Sequence, residues 1–193
     1  LEGLRRPPEP PAKLEHCMDL FLQMMESFYP EQELEPWRAE WPVVLTDDGS
    51  AVVCGTIDLV MRSRRDGRFW ILDWKRVDPN KKGLLGKRKF FTYNDPKAKA
   101  PFESWDANSY HQYSAQLLGY KYIIEKGGYE HDGAPMVVAG CFLVQMHERL
   151  HSPHVIEVAD MDDEVVSMME IEMSRARYER AGAEAAVDPL AEA

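Results

Sequence analysis

Two aspartates and one lysine interrupt segments that otherwise have the pattern of apolar strands. The segments are Gly55-Thr56-Ile57-Asp58-Leu59-Val60 and Ile71-Leu72-Asp73-Trp74-Lys75-Arg76. Because strand side chains alternate between faces, Asp73 and Lys75 point one way and Trp74 points the other. Asp66-Gly67 between the segments predicts a tight hairpin turn, which places Asp58 beside Asp73. The sequence therefore predicts two carboxylates and one ammonium group on one patch of a sheet.

The trio of Asp58, Asp73 and Lys75 is suited to metal-assisted hydrolysis. Neighbouring carboxylates repel each other, and a hard divalent cation such as Mg²⁺ or Mn²⁺ relieves that repulsion by taking oxygen ligands. A lysine on the same patch orients or deprotonates an attacking water, or stabilises charge on a phosphate. The alternative is a structural group of salt bridges on a strand pair.

A third motif follows on a predicted helix over residues 109–126. Gln116 and Tyr120 stand at i and i+4, so they share one helix face and can reach the same site beside the strands. An acid on one strand, Asp-x-Lys on the next and Gln-x-x-x-Tyr on the following helix together resemble the PD-(D/E)XK nuclease superfamily, in its RecB-like branch. The resemblance covers roughly residues 14–172.

The resemblance implies an α/β fold with a restriction-endonuclease-like core, a central mixed β-sheet flanked by helices. It also implies that the two aspartates hold Mg²⁺ or Mn²⁺, with the backbone carbonyl of Trp74 as a third ligand. Lys75 would be the catalytic lysine. Gln116 and Tyr120 would contact the nucleic acid or position the acidic groups.

Two further residues have open roles. Relatives carry a histidine on the first helix, often as a further metal ligand, and here that helix holds His16 but has Leu20 four residues later. His16 is therefore either a ligand or a partly buried helix histidine. Glu40 either approaches the metal site from the neighbouring strand or pairs with Arg38 or Arg62.

The charge distribution predicts where a polyanion would bind. The chain has 23 Lys and Arg against 33 Asp and Glu, a net charge of −10, so any such site must be local. Residues 75–99 hold nine Lys or Arg and two Asp, a surplus of seven positive charges, with aromatic residues among them. Cations and rings in one stretch are typical of surfaces that bind single strands. The predicted nucleic-acid contacts are Arg76, Lys81, Lys82, Lys87, Arg88, Lys89, Phe91, Gln112 and Tyr120.

The length of 193 residues predicts one domain, over 14–180, between a linker-like segment at 1–13 and a flexible acidic tail at 181–193. Predicted strands cover 37–46, 51–62, 68–76, 136–147 and 154–158, and predicted helices 14–29, 109–126 and 161–180. A long loop is predicted over 78–107. Three cysteines without a C-x-x-C pair favour an intracellular, reducing compartment, and the longest apolar run is too short to span a membrane.

These patterns together predict a metal-dependent deoxyribonuclease that acts on single strands or free ends. The first alternative is a catalytically weak nuclease-fold module that captures nucleic-acid ends within a larger helicase or replication protein. A second alternative is an interaction domain that uses the acidic stretch over 157–172. RNA stays open as a substrate, and other domains of a larger parent protein are expected partners.

Overall fold

The computed structural model describes residues 15–31, 33–82 and 96–187. In chain order the elements are α1 (Glu15–Glu31), β1 (Leu34–Asp47), β2 (Ser50–Ser63), β3 (Phe69–Lys75), α2 (Pro79–Lys82), α3 (Ser109–Lys126), β4 (Glu130–His131), β5 (Ala134–Pro135), β6 (Val138–Gln145), β7 (His154–Glu157) and α4 (Asp162–Val187).

A five-stranded sheet in the order β1-β2-β3-β6-β7 forms the centre of the fold. The β3–β6 pair is parallel and the other three pairs are antiparallel, so the sheet is mixed. The chain runs from β3 to β6 through α3, because parallel neighbours need a long crossover connection. The predicted fold class is confirmed: the protein is α/β, with a central mixed sheet flanked by helices.

Helices cover both faces of the sheet. On one face α1 contributes Met24 and Met25 to a cluster that includes Leu59 and Leu72. On the other face α3 and α4 pack on a larger cluster that includes Ile71. Each strand therefore buries alternate side chains in two different cores, which explains the nearly continuous apolar pattern of β3 and β6.

Local sequence signals account for several element ends. The side chain of Asn108 caps α3 by accepting a hydrogen bond from the backbone N–H of His111 at 3.0 Å. Gly67, with φ of 72°, follows the turn between β2 and β3. α4 begins with three acidic residues, Asp162, Asp163 and Glu164, which suit the positive end of the helix dipole.

An ion-pair cluster joins α4 to the β1–β2 hairpin. Arg177 donates two hydrogen bonds to the Asp47 carboxylate, at 2.9 and 3.0 Å, and Arg180 donates a third. These bonds from Arg177 and Arg180 lower the pKa of Asp47 to about 2.

Most element ends lie within three residues of the predicted bounds, and the structure differs further in three places. α4 continues to Val187 rather than ending at 180, because the Ala-rich and Glu-containing sequence after that position favours helix. The predicted loop over 78–107 contains α2 and an isolated bridge between Lys97 and Asp106. The small β4–β5 hairpin was not predicted, although its Asp132-Gly133 turn is a recognisable signal.

Several predictions lie outside the described residues. These are the linker at 1–13, the end of the tail, and the nucleic-acid contacts Lys87, Arg88, Lys89 and Phe91. Across the described ranges, none of the helices combines the length and apolar character needed to cross a membrane.

Candidate functional site

Asp58 lies where β2 separates from β3. The pairing between these strands ends at Leu59 and Leu72, and the same register continued by one residue would oppose Asp58 to Asp73. Instead of continuing the ladder, the Asp58 carboxylate accepts a hydrogen bond from the backbone N–H of Trp74 at 2.9 Å. The side chain thus takes the place of a strand hydrogen bond and stays next to the Asp-x-Lys segment.

Asp73 is a buried acid, 3% exposed, that forms an ion pair with Lys75. This pair is the same-face arrangement that strand alternation predicts. Burial raises the pKa of Asp73; Lys75 acts in the opposite direction, and the negative charge of Asp58 raises the pKa further. The Asp58 carboxylate is therefore close enough to disfavour the ionisation of Asp73.

Lys75 is held from the α3 side as well. Its Nζ donates to the Gln116 side-chain oxygen at 3.4 Å and lies 4.4 Å from the ring centroid of Tyr113. A cation over an aromatic face is attracted by the ring's quadrupole. Sequence reasoning missed Tyr113, although its position three residues before Gln116 on the same helix face was a usable signal.

Gln116 connects Lys75 to Tyr120. The Gln116 side-chain nitrogen donates to the Tyr120 hydroxyl at 2.9 Å, so one amide bridges the lysine and the phenol. Tyr120 packs directly on Gly55 of β2, where any side chain would overlap its ring. Because Tyr120 is only 9% exposed, little of its surface is available to the predicted nucleic acid, and its contacts are those of a positioning residue. Gly55 was also missed.

Glu40 lies across from Asp58 on the β1–β2 ladder, between the pairs Ala39–Leu59 and Trp41–Ile57. Its backbone φ is 48°, which is uncommon for a residue that is not glycine and costs about 1–3 kcal/mol. Glu40 and Asp58 line the same cavity, of about 290 Å³.

The strand β2 changes its packing at this point. Ile57 belongs to the same core cluster as Val60, whereas strict alternation would group it with Leu59, which packs in the other cluster. The irregular backbone at Glu40 is directly across the ladder from this change. Glu40 forms no ion pair with Arg38, Arg62 or any other residue in the described ranges.

The histidines have partners outside the acidic pair. His16 lies on α1, and its Nε2 is 2.8 Å from the carbonyl oxygen of Leu150. His147 is buried and its Nδ1 accepts a hydrogen bond from the backbone N–H of Arg149. His111 is buried at the start of α3 and lines a second cavity rather than the acidic pair.

In the part of the chain that the structure describes, no three His, Cys, Asp or Glu side chains are grouped as a metal ion would require. The acidic pair of Asp58 and Asp73 nevertheless suits a cation with few protein ligands. Mg²⁺ is commonly held by one or two carboxylates, with waters and substrate phosphate completing its shell. Burial and the charge of Asp58 raise the pKa of Asp73. A bound cation would act in the opposite direction, because it favours the ionised carboxylate.

The predicted nucleic-acid contacts that can be described lie on different elements. Arg76 is exposed and pairs with Glu148 at 3.0 Å. Lys81 and Lys82 end the short helix α2. Gln112 is exposed and lines the second cavity, of about 430 Å³, together with Lys99 and Phe102.

Comparison with known proteins assigns the chain to no family. No family model matches it, and no curated protein matches it. Among solved structures, the crystal structure of SSO0001 is similar, at 12% sequence identity and a TM-score of 0.36. The similarity covers 82% of this chain and 58% of that one, so the chain spans less than two thirds of that protein's length. The role of the site is therefore inferred from its own residues and contacts.

Proposed function

We propose that the protein is a nuclease of the PD-(D/E)XK, RecB-like type, which uses Mg²⁺ or Mn²⁺ to hydrolyse phosphodiester bonds of DNA in single strands or at ends. One observation carries the proposal: a buried acid, Asp73, is paired with Lys75 and lies beside a second acid, Asp58, at the point where two strands separate. A salt bridge that served only stability would not need a second carboxylate that raises the pKa of the first.

Each residue has a distinct task in this proposal. Asp58 and Asp73 would hold the divalent ion, and the backbone carbonyl of Trp74 is a further candidate ligand. The ion, when bound, would neutralise charge on the phosphate and supply Lewis-acid chemistry. Lys75, fixed by Gln116, would donate a hydrogen bond to the attacking water or to a phosphate oxygen. Tyr120 would keep the Gln116 amide in place.

The test is cleavage of end-labelled single- and double-stranded DNA with Mg²⁺, with Mn²⁺ and with a chelator. We expect metal-dependent cleavage that falls by about 100-fold or more in Lys75→Met and in Asp73→Asn. Lys121→Met is a matched control, because Lys121 also pairs with an acid, Asp162, at 2.8 Å. Circular dichroism of each variant checks the fold.

Two results would count against the proposal. Equal cleavage by the wild type and Lys75→Met would show that Lys75 takes no part in the reaction. No cleavage of DNA or RNA with either metal would show that the protein is not a nuclease.

The alternative of a catalytically weak nucleic-acid-binding module has one observation in its favour, the absence of a third grouped metal ligand from the described residues. It predicts tight binding of single-stranded DNA without turnover. Fluorescence anisotropy of a labelled oligonucleotide, measured beside the cleavage assay, separates the two functions. Substrates blocked at the 5′ or 3′ end then distinguish end-dependent from internal cutting.

A further inference from the structure

The cavity shared by Glu40 and Asp58 combines aromatic and charged residues in its lining. Its volume is about 290 Å³, close to the lower end of the ~300–1,000 Å³ found for small-molecule pockets. Aromatic residues of three elements border it: Phe21 of α1 and Trp74 of β3, which pack in the core on the α1 side, and Trp37 of β1, whose ring packs against the core on the α3 side. We refer to it as the aromatic pocket.

The rings of the aromatic pocket are fixed by contacts with one another and with the core. Phe21 and Trp74 meet edge to face, with centroids 5.6 Å apart. Trp37 packs edge to face on Trp41 at 5.3 Å and on Phe69 at 4.9 Å. Rings held in this way are preorganised, so a flat ligand would pay little to order them.

Polar groups stand at the same pocket. The Arg38 guanidinium lies 4.5 Å from the Trp37 ring centroid, and no carboxylate in the described ranges pairs with it. Glu40 and Asp58 supply carboxylate oxygens, which accept hydrogen bonds from the amino groups of bases. Asp58 thus belongs both to the aromatic pocket and to the acidic pair.

We infer that the aromatic pocket binds one unpaired nucleobase of the substrate strand, with Asp58 standing between the pocket and Asp73, whose partner Lys75 contacts α3 on the other side of the sheet. The inference rests on the proposed function and adds the place where a base of the single strand would bind. A base paired in a duplex has its edge and both faces occupied, so only single strands or frayed ends can fill the pocket. Arg38, stacked over Trp37, is placed to contact a phosphate of the same nucleotide.

The test measures binding apart from cleavage. A fluorescein-labelled single-stranded oligonucleotide is bound in chelator, and its anisotropy is compared with that of the same strand carrying abasic residues throughout. We expect Phe21→Ala and Arg38→Gln each to weaken binding of the intact strand, Phe21→Ala by about 10-fold to 100-fold. Phe21→Ala should not change binding of the abasic strand, which has no base to place in the pocket.

Phe102→Ala is the matched control, because Phe102 is half-buried like Phe21 and lines the second cavity instead. Unchanged affinity in Phe21→Ala, or an equal loss for the intact and abasic strands, overturns the inference. So does a base-dependent loss in Phe102→Ala alone, which would place the base in the second cavity.

The same preparations are assayed for cleavage with Mg²⁺. Base-dependent binding without cleavage would overturn the proposed nuclease but keep the base pocket. Cleavage without base-dependent binding would overturn the base pocket but keep the proposed nuclease.

Discussion

Replacing Lys75 by methionine removes the positive charge from a buried ion pair and keeps most of the side chain's bulk. The side chain of Asp73 is 4% exposed and that of Lys75 is 16% exposed. Removing one partner of a buried pair costs about 3–5 kcal/mol, because the other charge stays buried without compensation. Lys75 keeps some access to water, so we expect the lower end, about 3 kcal/mol, at mildly alkaline pH.

The stability lost in Lys75→Met should depend on pH. Whether the loss grows or shrinks with rising pH follows from the groups around Asp73. Burial raises the pKa of Asp73, Lys75 opposes that rise, and Asp58 adds to it. Lys75→Met leaves only the two effects that raise the pKa. The pKa of Asp73 is higher in the folded state than in the unfolded state, where it is about 3.9. The free energy of unfolding therefore falls as the pH rises from the unfolded pKa to the folded pKa, because ionisation of Asp73 is less favourable in the folded protein. The variant therefore loses stability over a wider pH range than the wild type.

Urea unfolding followed by tryptophan fluorescence, in chelator, measures this difference. With a slope of about 2–3 kcal/mol per molar urea, a loss of about 3 kcal/mol lowers the midpoint by about 1 M. The gap between the variant and the wild type should shrink as pH falls toward the unfolded pKa of about 3.9, because protonation of Asp73 removes the buried charge.

Two variants control the measurement. Lys121→Met breaks a pair whose acid, Asp162, is half exposed, and should cost less than about 1 kcal/mol. Combining Lys75→Met with Asp73→Asn removes the buried charge and should recover part of the loss at alkaline pH. The reasoning is refuted if Lys75→Met loses the same stability at both pH values, or if the double variant is no more stable than the single one.

Three other positions are predicted to respond to single substitutions. Glu40→Gly should be up to about 1 kcal/mol more stable than Glu40→Ala in thermal unfolding, because glycine adopts a positive φ without strain; a less stable glycine variant would contradict this. Gly55→Ala should cost about 1–3 kcal/mol in urea, because its Cβ would overlap the Tyr120 ring; an unchanged midpoint would show that the ring moves aside. Asp47→Asn should destabilise the protein at neutral pH, because hydrogen bonds from two α4 arginines stabilise the ionised carboxylate and lower the pKa of Asp47 to about 2. The difference in urea midpoint between the variant and the wild type should vanish as pH falls from about 4 toward 2, where Asp47 becomes protonated. A constant difference over that range would refute this prediction.

The strand and helix periodicities located most of the candidate site. The two-residue alternation of strand side chains predicted that Asp73 and Lys75 share one face, and the two side chains form an ion pair. A helical period was enough to put Gln116 and Tyr120 together, and they share a hydrogen bond. Both relations are between near neighbours in the chain, whose geometry depends on backbone conformation alone.

The periodicities failed where the backbone departs from regular geometry. Strict alternation would place Ile57 and Leu59 on the same face, yet they pack in different cores around Asp58. The positive φ of Glu40 across the ladder has no signal in the sequence, because glutamate rarely adopts it. Likewise, no local pattern shows that an aspartate side chain will accept the Trp74 N–H in place of a strand bond.

The sequence by itself determined which side chains the candidate site contains: two acids, a lysine and a Gln-x-x-x-Tyr pair, on strands and a helix of the predicted types. Only the tertiary structure decided how these groups act on each other. Gln116 reaches Lys75 because the β3–α3–β6 crossover lays α3 over β3, and the aromatic pocket exists because α1 packs on the opposite face of the sheet. Contacts between residues far apart in the chain depend on how whole elements pack, and periodicity within a segment does not report that packing.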